Sequence, residues 1–175
     1  ADVKLDLIAL EALSRVARDS YGMGGAVQHG ASTLPSTAFG NFPRVETVEI
    51  HLATNFQTIV FDHPALPLDL RQRAYAWLDE HAQGEKKTDD TQEQFYYKAR
   101  KRAIGPFKKE FWSLPESVRT AIAADLEKTF GFLFDQLKVN GTAALIRKHV
   151  RAAPLRHADL VKPVVRAVDD ADAGE

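Results

Sequence analysis

Two short apolar runs in this chain each stop at a histidine followed within four residues by small or hydroxylated side chains. They are Gly24-Gly25-Ala26-Val27-Gln28-His29-Gly30-Ala31-Ser32-Thr33 and Val48-Glu49-Ile50-His51-Leu52-Ala53-Thr54-Asn55. Runs of this length suit strands of a parallel sheet, whose carboxyl ends are where such sheets place ligands and chemistry. Two such endings about twenty residues apart point to one shared site.

The flanking residues fit that reading. Residues 6–21 put Leu10, Leu13, Val16 and Ala17 at helical spacing, and Gly22 and Gly24 supply the stop. Residues 32–43 mix turn formers with Phe39 and Phe42 and read as a long loop of active-site type with one helical turn. Residues 55–61 can begin a helix capped by Thr54 or Asn55. Helix, strand, loop, strand, helix is the order expected of an α/β protein with a parallel sheet.

From residue 64 onward the pattern is helical. Residues 69–81 carry Leu70, Ala74, Tyr75, Trp77 and Leu78, and a charged linker follows at 83–90. Thr91 with Gln94 forms one capping box and Ser113 with Glu116 a second, the latter opening a helix whose stripe includes Val118, Ile122, Leu126, Phe130, Leu133 and Leu137. These signals divide the chain into residues 1–63, a helical stretch at 64–150, and a flexible acidic tail at 151–175.

Composition narrows the function classes. A chain of 175 residues that is 45% hydrophobic can bury a substantial core. Lys and Arg number 23 against 24 Asp and Glu, and a net charge of −1 gives no general attraction to nucleic acid or to an anionic membrane. The absence of cysteine removes disulfides and thiolate metal sites, so any metal must be held by His, Asp or Glu. No run of about 18 apolar residues is present, and a cytoplasmic location is expected.

His29 is the leading candidate for chemistry. At a strand tip an imidazole can ligate Zn²⁺ or act as acid or base, while Gly30 admits a ligand close to the backbone and Ser32 can donate to phosphate oxygens. For an isolated His-Gly, a loop histidine bonded to a neighbouring carbonyl is the commoner explanation, and it is the second strand tip that shifts the balance towards chemistry. Ala53 and Thr54 precede a helix, whose first amides and dipole suit an anion, although Thr54 also reads as a plain N-cap. His51 alternates with Ile50 and Leu52, so it either faces the interior of the sheet or caps the strand. The basic group Lys98, Arg100, Lys101, Arg102, Lys108 and Lys109 stands among aromatic residues. It reads as a solvated helix face, with phosphate or nucleic-acid contact as the alternative.

The two runs, in their order and spacing, resemble the seventh-strand and eighth-strand motifs of the class II, metal-dependent fructose-bisphosphate aldolases. The resemblance covers roughly residues 1–60. It implies an α/β fold comprising the last two βα units of a (β/α)8 TIM barrel, followed by a mainly helical C-terminal extension. It further implies a Zn²⁺ cofactor with His29 as ligand, and a phosphorylated ketose held by Gly30, Ser32, His51, Ala53 and Thr54. The implied whole enzyme is a homo-oligomer that reversibly cleaves a ketose bisphosphate to triose phosphates. Thr33 stands where the family usually has Gly, and His51 where it usually has Asn.

One histidine cannot hold a catalytic zinc, which takes three protein ligands and an open position. The chain is therefore expected to be the C-terminal portion of an aldolase-like protein, inactive alone. A non-catalytic aldolase-like subunit or a helical interaction module is the alternative.

Overall fold

The chain builds its core from helices. The computed structural model describes residues 5–151. Helix α1 (Leu7–Tyr21) starts at Asp6, whose carboxylate accepts the Ala9 N–H, and ends at Gly22 in the left-handed conformation, with the Gly22 amide on the Arg18 carbonyl and the Met23 amide on the Ala17 carbonyl. Strands β1 (Val27–Gln28) and β2 (Glu49–Ile50) pair in parallel, Val27 opposite Glu49 and Gln28 opposite Ile50. Between them Ser36–Val45 forms a ten-residue 3-10 helix rather than a loop with one turn. Helices α2 (Thr54–Phe61), α3 (Leu68–His81), α4 (Gln92–Ala99), α5 (Lys108–Trp112) and α6 (Glu116–Gln136) follow.

This arrangement corrects the expectation of two barrel βα units with a helical extension. Among the described residues the only sheet has two strands of two residues each, and the fold is mainly helical. A barrel wall needs each strand paired on both sides. Here β1 and β2 pair only with each other, and the apolar residues between them, Phe39, Phe42 and Val45, enter the core from the 3-10 helix.

Residues up to Asn140 form one compact unit, and those from Gly141 a second, whose described part contains α7 (Ala143–His149). The expected tail lies, but for Arg151, outside the described residues. In the first unit, Leu10 of α1, Ala31, Phe39 and Phe42 join Leu133 of α6 in one cluster, with Ile50 and Leu52 packed against it. A second cluster joins Phe61, Ala74, Leu78 and Phe95, and a third joins Leu66 and Leu70 to Leu114 and Ile122. Phe42, Phe61 and Phe95 are fully buried; each is worth about 2 kcal/mol or more in transfer free energy.

Two helix starts test the capping signals. Thr91 and Gln94 form the reciprocal capping box at α4. Ser113 does not cap α6: Pro115 occupies the cap position, and the Ser113 amide closes the preceding turn on the Lys109 carbonyl. The basic group is also not uniformly solvated. Arg100 is only 2% exposed, its guanidinium donating to Asp62 and Thr58 and lying over the rings of Phe61 and Tyr97. Lys98 pairs with Asp90, and Arg102 with Glu85.

Candidate functional site

The parallel register brings the two histidines side by side. Gln28 opposes Ile50, so His29 and His51 are the next residues along, at the carboxyl end of each strand, and the His51 N–H donates to the Gln28 carbonyl at 2.9 Å. Their ring centroids lie 4.3 Å apart, inclined by 40°. Ile50 and Leu52 pack towards the core. Alternation along the strand then sends Glu49 and His51 to the other side, where both are exposed.

Small residues let the chain make this approach. A Cβ on Gly25, at φ 153°, would come within 2.6 Å of the Glu46 carbonyl oxygen, so glycine permits the close approach of the segment entering β1 to that entering β2. Gly30, at φ 71°, turns the chain sharply after His29 into a short 3-10 turn, Ala31–Thr33. Ala31 is fully buried and anchors that turn, while the Thr33 hydroxyl donates to the Gly30 carbonyl.

The result is a cleft of about 560 Å3 at the strand ends. His29, Gly30, Ser32, His51, Ala53 and Thr54 all line it, so the structure gathers every site residue expected from sequence. Ser32 Oγ accepts the Ala53 N–H at 3.2 Å, tying the two strand-end turns together. Ala53 precedes α2 without a side-chain cap, and the first turn of α2 carries no acidic residue. The leading amides and positive dipole end of α2 are thus left to an anion.

Glu49 and Thr33 also line the cleft, and neither was singled out from the sequence. Glu49 Oε1 accepts from His51 Nε2 at 2.5 Å. The signal available was its position two residues before His51 on one strand face. His29, by contrast, makes no ring hydrogen bond among the described residues.

The other described histidines are spent differently or stand apart. His63 is buried, with Nδ1 accepting the Ala65 N–H and Nε2 3.4 Å from Asp125. His81 Nδ1 meets the Trp77 carbonyl, and His149 lies in the second unit.

The zinc implied by the resemblance can be tested against these donors. Two imidazoles with unbonded nitrogens, one backed by a carboxylate, fit the ligand chemistry of a borderline divalent ion. Among the described residues no group of three or more His, Cys, Asp or Glu side chains is placed to hold a metal ion.

Fold and site together define a mainly helical protein with a cleft of mixed polar and apolar lining at the carboxyl ends of a short parallel strand pair. No protein-family model, curated protein or solved structure matches the chain. No helix among the described residues is long and apolar enough to cross a membrane.

Proposed function

We propose that the cleft binds a phosphorylated ketose and that the chain belongs to a cytoplasmic, metal-dependent ketose-bisphosphate aldolase system. It would contribute one imidazole ligand, His29, and the phosphate-holding turns. The observation that carries this reading is the Ser32–Ala53 hydrogen bond, which joins the turn after His29 to the start of α2 in one cleft.

The residues divide the work by their chemistry. Because Ser32 Oγ already accepts the Ala53 amide, its own proton is free to donate to a phosphate oxygen. The Thr54 hydroxyl and the first amides of α2 offer further donors, and Gly30 presents no side chain between ligand and backbone. A phosphate held there directs the ketone end of the sugar towards the imidazoles. When bound, a divalent metal supplies Lewis-acid polarisation of that ketone. Beyond the imidazoles of the cleft, no further ligand and no acid or base for the substrate proton is assigned in this reading.

Calorimetric titration with fructose 1,6-bisphosphate, set beside unphosphorylated fructose, tests the proposal. The bisphosphate is expected to bind and fructose not to. Ser32→Ala and Thr54→Val should each weaken binding about tenfold, the value of one hydrogen bond to a charged group. Equal binding of both sugars, or indifference to both substitutions, would contradict it.

A further inference from the structure

The geometry points to His51 as a second imidazole ligand of a divalent transition-metal ion shared with His29, with Glu49 as the carboxylate that orients it. This rests on the reading in which His29 carries metal, and adds to it a ligand at a position where the resembling family usually has Asn.

Three observations converge. First, His29 and His51 are held by the strand pair itself, each one residue beyond the paired positions, with the His51 amide fixed to the Gln28 carbonyl. Two imidazoles bound to one ion at about 2.0–2.1 Å place their ring centres roughly 5 Å apart. The observed 4.3 Å is close enough for a small side-chain rotation to admit the ion.

Second, the hydrogen bond between His51 Nε2 and Glu49 Oε1 settles which nitrogen is available. With the Nε2 proton donated to the carboxylate, Nδ1 carries the lone pair. A ligating histidine characteristically gives its other ring N–H to a carboxylate or carbonyl, which fixes the tautomer and raises the basicity of the ligating nitrogen. Glu49 stands in that relation to His51.

Third, neither ring nitrogen of His29 is bonded among the described residues. His63, whose two nitrogens face Ala65 and Asp125, shows what a structural histidine looks like in the same chain. With two protein ligands, the ion keeps positions open towards the cleft for water or an oxygen ligand. An imidazole pair selects zinc, cobalt or nickel over magnesium or calcium.

Metal binding by the full chain, without any sugar, tests this. Zn²⁺ alone is titrated by calorimetry while the imidazole nitrogens are followed by ¹⁵N NMR, and folding of each variant is checked by circular dichroism. The wild-type chain should bind one Zn²⁺ with shifts at His29 and His51 Nδ1. His29→Ala and His51→Asn should each abolish binding, Glu49→Gln should weaken it about tenfold or more, and His81→Ala should leave it unchanged. Binding that survives His51→Asn, or no shift at His51 on adding Zn²⁺, would overturn the inference. If His29→Ala alone abolishes binding, the single-ligand reading of His29 stands and the second ligand falls. The sugar titration decides the phosphate site independently.

Discussion

The Arg100 guanidinium lies 3.1 Å from the Asp62 carboxylate, joining the turn after α4 to the C-terminal end of the helix that begins at the cleft. Arg100 is buried and its Nε has no hydrogen-bond partner, so its charge depends on Asp62, Thr58 and the flanking rings of Phe61 and Tyr97. Arg100→Ala is expected to destabilise the chain by about 3 kcal/mol, through lost packing beside Phe61 and loss of the pair. Asp62→Ala should cost less, because that carboxylate is 55% exposed and water can replace part of what it gives. Urea unfolding of the two variants checks the order.

Gly30→Ala isolates backbone strain at the site. No atom lies within 4 Å of an added Cβ, yet the residue sits at φ 71°. The expected loss is about 1 kcal/mol of stability with the cleft still formed, read as a lower urea midpoint with an unchanged slope. A larger loss would mean that the turn has moved.

The two capping signals give a paired prediction. Thr91→Ala removes a cap seen at α4 and should cost about 1 kcal/mol. Ser113→Ala touches no cap of α6 and should be within about 0.5 kcal/mol of neutral. Equal losses in thermal unfolding would contradict the helix start at Glu116.

Asp90 provides a pH prediction. Its hydrogen bond from Lys98, aided by the Lys87 amide, holds its carboxyl below the ordinary value of 3.8. A folded value lower than the unfolded one contributes stability that is complete above the unfolded value and is lost as pH falls through the folded one. Asp90→Asn should therefore be less stable than wild type at pH 6, with the difference shrinking below pH 3.8. Urea midpoints at both ends of that range measure it.

The legibility of the chain followed the range of the interactions. Asp6 and Gly22 bound α1 by local hydrogen bonds, and Thr91 with Gln94 start α4 in the same way, so sequence spacing located both. The two histidine-ended runs were readable as parallel strands because glycine, small residues and alternation are local signals. The barrel was not there to be read. Strand runs of two paired residues are compatible with many partners, and what lies beside them depends on long-range clustering, such as that of Phe42 with Leu133 in one core, that no local pattern encodes. Ser113 shows the complementary error, since Pro115 two residues later takes the cap position. Arg100 was hidden for a similar reason: its partner Asp62 is 38 residues away, and neighbouring lysines made it look solvated. Within the site, the order of the motifs brought out the six residues that line one cleft. Glu49 emerged only once the strand face was known.

Assigned backbone amide spectra recorded while fructose 1,6-bisphosphate is added test the central claim most directly, because they locate the ligand as well as detect it. The account predicts saturable shifts concentrated at Gly30, Ser32, Ala53 and Thr54, with the helices around Phe95 and Leu114 unaffected. Shifts centred elsewhere, or none at millimolar sugar, would contradict a phosphorylated-ketose site at the strand ends.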